Sequence, residues 1–166
     1  MALKVELKPN ERIIVGESVI TNCDHKSWLV IEGSSPILRE KDILTASRAD
    51  TPAKRIYLAV QLMYTSRDPL AHHEVYFALV PQIVQAAPST WNYIELISNQ
   101  ISARILYKAL KEAKKLAKAP LKKKVELWVG SFELPDFNGN DNEVVDDIKA
   151  KFMAFKSWAI KQADNV

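Results

Sequence analysis

Apolar residues change their spacing once along this chain, near residue 50, and that change constrains the fold more than any other feature. Before it they alternate with polar ones. Leu3, Val5 and Leu7 are separated by Lys4 and Glu6, the period of two of a half-buried strand. Ile13-Ile14-Val15, Val19-Ile20-Thr21, Trp28-Leu29-Val30-Ile31 and Ile37-Leu38 read as further short strands. They are separated by turn-forming runs such as Pro9-Asn10, Gly16-Glu17 and Gly33-Ser34-Ser35-Pro36. After residue 50 the spacing becomes helical. Thr51-Pro52 is a helix start, a hydroxyl cap followed by proline at the first helical position. Ile56, Ala59, Val60 and Met63 follow at steps of three and four.

Asp68-Pro69 repeats the start signal, and a helix is expected through Val75, Tyr76, Leu79, Val80 and Ile83. Pro81 should kink or break it near Val80, because a mid-helix proline removes a hydrogen bond and crowds the preceding turn. Pro88-Ser89 restarts a helix through Trp91, Ile94 and Ile97. A last helix is expected to carry Ile101, Ile105, Leu106, Ala109, Ala113 and Leu116 as one apolar stripe. Beyond Pro120, Val125, Leu127 and Val129 alternate like a strand, and Val145, Ile148, Phe152, Phe155 and Ala159 share a helical face. The expected fold is α+β. A small antiparallel β unit of four or five short strands spans residues 1–48, a helical section of three or four helices spans 49–118, and a strand–helix extension spans 119–166.

Charge is unevenly distributed. The net charge of +3 over 166 residues resolves into −1 for residues 1–50, 0 for 51–100, +8 for 101–124 and −4 for 125–166. The basic block is a contact surface for phosphates, a solvated helix face, or a partner for the acidic tail. Arg104, Lys108, Lys111, Lys115 and Lys118 recur at three- and four-residue steps opposite the apolar stripe. The second charged feature is Arg39-Glu40-Lys41-Asp42, four charges in a row between Ile37-Leu38 and Ile43-Leu44. Buried charges are costly, so this is an exposed corner anchored at both ends. Arg39 there suits planar recognition of phosphate or bases. The plainer reading is a surface pair of Arg39 with Glu40 or Asp42.

Signatures of catalysis are weak. The four glycines are isolated, so no phosphate loop is present. His72 and His73 are adjacent and point to different sides of a helix. Asp136-x-Asn138-x-Asn140 has Asp141 where a calcium loop needs glycine. No cofactor and no metal are expected, and the protein is read as a non-enzyme. The single cysteine, Cys23, excludes an intrachain disulfide. The N-terminus lacks an apolar leader, and no apolar run has the length of a membrane span. A cytoplasmic protein without membrane contact is expected.

Several segments are similar in order to the FlbT family of regulators of flagellin synthesis. They are Leu3-Lys4 through Lys8-Pro9 with Glu11, then Pro36 through Leu44, then Thr51-Pro52-Ala53 with Ile56-Tyr57 and Met63-Tyr64. Tyr107-Lys108-Ala109-Leu110 through Lys115-Leu116 completes the match, which ends near residue 118. The resemblance implies a post-transcriptional regulator that acts at the 5′ untranslated region of flagellin mRNA and alters its stability or translation. It also implies links with flagellin itself and with a small flagellin-associated protein. A coarser similarity connects Glu11 to Gly16-Glu17, and Leu38-Arg39-Glu40, with the carbon storage regulator family of mRNA-binding dimers. In those dimers the first strand of one subunit lies beside the last strand of the other. That implies a homodimer in which Arg39 stands beside Lys4, Val5 and Glu6 across the interface. The expected RNA-contacting residues are Arg39, Lys41, Lys4, Lys8, Lys108 and Lys111. The rival expectation is a protein-binding regulator that acts on mRNA only indirectly, through Ile148, Phe152 and Phe155 or through Tyr57, Tyr64 and Trp91.

Overall fold

The computed structural model describes residues 2–119. The strand read at 125–129 and the helix read at 145–159 lie outside them. Five strands come first: β1 (Ala2–Leu7), β2 (Arg12–Val15), β3 (Ser18–Thr21), β4 (Ser27–Glu32) and β5 (Ile37–Arg39). Four helices follow: α1 (Pro52–Thr65), α2 (His73–Ala86), α3 (Trp91–Ser102) and α4 (Leu106–Lys118). The fold is α+β, as the change of spacing implies. The strands form two small antiparallel sheets, β1 with β4, and β3-β2-β5.

Alternation in β2 and β5 joins the two apolar clusters. Ile13 is buried with Val5 and Leu7 in the smaller cluster, while its neighbour Ile14 packs against the larger, helical one. In β5, Ile37 packs on the smaller cluster and Leu38 is buried in the larger. Successive side chains of a strand point to opposite faces, so each strand contributes to both cores. The β2–β3 turn needs Gly16, whose φ of 59° is left-handed. Asn10 takes the same region at φ 60°, which asparagine tolerates.

The start signals of the helices are seen in the structure. Thr51 Oγ1 accepts from the Lys54 N–H at 3.2 Å, with Pro52 at the first helical position. Asp68 Oδ1 accepts from the Leu70 N–H at 3.1 Å, but the turn it caps is a short 3-10 segment, Pro69–His72, and α2 proper begins at His73. Two expectations need correction. First, of the kink or break expected near Val80, the break does not occur: α2 runs continuously through Pro81. Val80, Ile83 and Val84 are all buried on the core side, so packing on both sides of the proline carries the helix across the missing bond.

Second, Ile101 and Leu106 do not share one helix. Helix α3 ends in a left-handed turn at Arg104, φ 57°. The Arg104 N–H bonds Ile101 O and the Ile105 N–H bonds Gln100 O, both at 2.9 Å. This is the double carbonyl capture of a Schellman stop, made with arginine in place of the usual glycine. Helical spacing is preserved across the stop, which is why it was invisible in the apolar stripe. Arg104 therefore precedes α4 and is not part of its basic face.

Candidate nucleic-acid interface

The four charges at the end of β5 go to different parts of the fold. Arg39 Nη2 donates to Glu6 O at 2.9 Å and to Glu11 Oε1 at 2.8 Å. Glu40 accepts from the Arg12 N–H at 2.8 Å and from Arg12 Nε at 3.2 Å. Asp42 pairs with Lys114 of α4. Neither plain pairing expected within the run, Arg39 with Glu40 or with Asp42, is formed. Residues in a 3-10 turn (Glu40–Asp42) splay in different directions, and Glu40 and Asp42 find partners on other elements. Lys41 has no ion-pair partner among the described residues and is exposed.

A stripe of α1 holds this corner from behind. Tyr57, Gln61 and Tyr64 recur at steps of four and three, so they lie on one helix face. The Tyr57 hydroxyl donates to Asp42 O, Gln61 Nε2 to Leu44 O at 3.0 Å, and the Tyr64 hydroxyl to Ile37 O at 3.4 Å. Gln61 Oε1 also accepts the Leu44 N–H at 2.8 Å. Burial, and then the Asp42 charge, push the Tyr57 hydroxyl well above its ordinary pKa of 10.0, so it remains a donor. Tyr57 is 5% exposed and its hydroxyl is committed, which leaves little of it for a partner protein.

In front of the corner lies an open cleft of about 710 Å³ between β1, β5 and the ends of α1 and α4. Its walls include Lys4, Trp28, Arg39, Lys41, Tyr64 and Tyr107. Lys4 Nζ lies 4.7 Å from the Trp28 ring centroid, and Lys111 Nζ lies 4.5 Å from that of Tyr107. The Tyr64 and Tyr107 rings are 5.8 Å apart. A second open pocket of about 490 Å³ shares Arg39 and Lys41 and adds Lys8. The structure thus gathers Lys4, Arg39 and Lys41 on one cleft, with Lys111 at its rim through Tyr107 and Lys8 round the corner. Lys108 is exposed on α4 and lines neither pocket. The juxtaposition of Arg39 with the Lys4-Val5-Glu6 strand, assigned by resemblance to a dimer interface, occurs here inside a single chain.

The acids around the cleft are countered. Glu6 pairs with Lys26 at 2.9 Å, Glu11 with Arg39 and Asp42 with Lys114. What faces solvent from the cleft is therefore ammonium charge and aromatic surface. Among the described residues no three His, Cys, Asp or Glu side chains converge as metal ligands, and no helix is long and apolar enough to cross a membrane.

Sequence reasoning missed the rings. Trp28 is 56% exposed because β4 alternates, burying Leu29 and Ile31 against the small cluster and leaving Trp28 and Val30 outside. A tryptophan on the polar phase of an alternating strand was a legible signal. Tyr107, half exposed in the first turn of α4, gave no such signal until the stop at Arg104 located that turn.

Two carboxylates make the corner sensitive to acid. The Lys8 main-chain N–H, and then Arg39, hold Glu11 below its ordinary pKa of 4.5. The Arg12 N–H, and then its guanidinium, do the same for Glu40. A carboxyl whose pKa is lowered by folding binds its proton more weakly in the folded state. Its stabilisation is complete above about pH 4.5 and is lost as the pH falls through the lowered value. Thermal midpoints measured from pH 7 to pH 3 should hold steady and then drop below about pH 4.5. Glu11→Gln with Glu40→Gln should flatten that drop. An unchanged pH profile in the double variant would contradict this assignment.

The family model for flagellar protein FlbT matches residues 3–120. A "Probable flagellum biosynthesis repressor protein FlbT 1" of Bradyrhizobium diazoefficiens is 62% identical over 117 residues, covering 70% of this chain and 80% of the relative. A protein named as a probable repressor of the same kind in Rhodopseudomonas palustris is 52% identical over 118 residues, 71% of this chain and 94% of the relative. The "Flagellum biosynthesis repressor protein FlbT" of Caulobacter vibrioides is 33% identical over 121 residues, 70% of this chain and 84% of the relative. No solved structure matches.

Proposed function

This chain belongs to the FlbT family of flagellar proteins, and we propose that it regulates flagellin synthesis after transcription by binding the 5′ untranslated leader of flagellin mRNA in the cleft between β1 and α4. The observation that carries this reading is the lining of that cleft, where Lys4, Lys41 and the rim Lys111 stand beside exposed rings while the neighbouring acids are paired. Phosphates bind such cations with release of counterions, and single strands add stacking on aromatic rings. Arg39 contributes mainly by fixing the corner, with Glu6 O and Glu11 on its Nη2, and Lys41 is the projecting cation. The protein acts in the cytoplasm as a regulator, not as an enzyme, and needs no cofactor. The relatives' names favour repression as its sign.

A filter-binding titration against the flagellin leader tests this. Three lysine–phosphate contacts on a single strand give a slope of about −2 in log K against log salt. Raising salt from 50 to 200 mM should then weaken binding roughly 20-fold. The variant Lys4→Ala/Lys41→Ala/Lys111→Ala should bind weakly and with little salt dependence. No binding by the intact protein at 50 mM salt would overturn the reading.

One observation favours a second reading. From Pro69 to Ile94 the chain carries a single formal charge, Glu74, while Leu70 and Val75 are exposed. Depletion of charge around exposed apolar residues is typical of protein contacts. On that reading the protein grips flagellin or a small flagellin-associated protein and affects mRNA indirectly. The same titration separates the two.

A further inference from the structure

Both walls of the cleft carry the same device. On the sheet wall an ammonium, Lys4, rides over an indole; on the helix wall another, Lys111, rides over a phenol. The two rings are 56% and 50% exposed. Neither exposure is forced by the fold. Trp28 lies on the open face of the β1–β4 sheet opposite Glu6, and Tyr107 lies in the exposed first turn of α4. Both are positions where a polar residue would satisfy the local pattern. A flat apolar face with a positive charge at its margin matches a nucleobase and its phosphate.

A duplex cannot use this device fully, because its bases stack on each other and offer only phosphates outward. An unpaired strand offers both phosphates and base faces. The cleft's volume is that of ordinary small-ligand pockets, space for a nucleotide or two. Among the side chains there that could read base edges, Glu6, Arg39 and Asp42 are held in ion pairs. No Asn or Gln lines it, and the Tyr64 hydroxyl is taken by Ile37 O. We propose that the cleft selects RNA for being unpaired, by stacking bases on Trp28 and Tyr107, and tolerates differences in sequence. This rests on the RNA-binding reading above and adds what that reading leaves open. The leader would be recognised where its secondary structure opens.

The test uses the full chain and a fluorescein-labelled 12-nucleotide segment of the flagellin leader, followed by fluorescence anisotropy at 50 mM salt. The unpaired segment should bind at least about 10-fold tighter than the same segment annealed to its complement, and a scrambled unpaired segment within about threefold of it. Trp28→Ala and Tyr107→Ala should each weaken unpaired binding by about 10-fold and weaken duplex binding by less. Trp28→Tyr and Tyr107→Phe, which keep a ring, should restore most of it. Equal affinity for the duplex would overturn the inference without recourse to any variant. Alanine variants that bind like the intact protein would overturn it too, while leader binding in the same experiment would leave the RNA-binding reading standing. If neither the segment nor the whole leader binds, the broader reading is what fails.

Discussion

Gln61→Leu is expected to lower the free energy of unfolding by about 1–3 kcal/mol, read from urea denaturation, although leucine fits a buried helix position. Gln61 is 5% exposed, and its amide exchanges two hydrogen bonds with the main chain of Leu44. Leu44 belongs to no strand or helix, so its N–H and C=O have no ladder partners. The side-chain amide of Gln61 takes the place of a neighbouring strand. Leucine at 61 would leave both groups of Leu44 without partners in a half-buried setting, and an orphaned group costs more than the bond was worth. Gln61→Glu should cost more, since its carboxylate still accepts from the N–H but repels the carbonyl. On the proposed RNA-binding reading, RNA affinity should fall along with stability, because this amide anchors the segment immediately after Lys41 and Asp42. A Gln61→Leu protein as stable as the original would show that the amide bridge makes no net contribution.

Ile56→Ala is expected to have the largest effect, a loss of about 2–5 kcal/mol. Ile56 is fully buried on α1, the helix that packs on both α2 and α4 and also holds the β corner. Truncation removes apolar burial and leaves a void that a three-sided environment cannot close by local movement. Calorimetry should show a single transition moved down by several degrees or more, because helical core and β corner share α1. Two separated transitions would mean that the β unit and the helices fold independently, contrary to this dual role.

The contrast between these residues shows what was legible in the sequence. The burial of Ile56 follows from its place in a 3.6-residue apolar pattern, and the cap at Thr51 from its hydroxyl and the following proline. Gln61 carried no such signal, since a glutamine on a helix is usually solvated. The partner of Arg39 was equally hidden. Glu40 and Asp42 were near in sequence and plausible, whereas Glu11, 28 residues away, became adjacent only when β2 paired with β5. Pro81 was read correctly as a local conflict, but its outcome was set by Val80, Ile83 and Val84 packing on both sides. The stop at Arg104 is a backbone event in a non-glycine residue that keeps the apolar spacing intact, so residue pattern alone extended the last helix too far.

By itself the sequence determined the α+β class, the change of structure near residue 50, the start of α1 and the family. These depend on periodicity and local hydrogen bonding, which act over a few residues. The tertiary structure decided which charges are used up in holding the fold and which remain. In the run Arg39 to Asp42, three charges are tied to β1, β2 and α4, and Lys41 projects. The cleft it shares with Lys4, Trp28 and Tyr107 draws on residues from 3 to 107. A surface of that kind depends on distances between elements, and these are set by the two cores sharing β2 and β5 and by the hydrogen bonds of α1 to the corner.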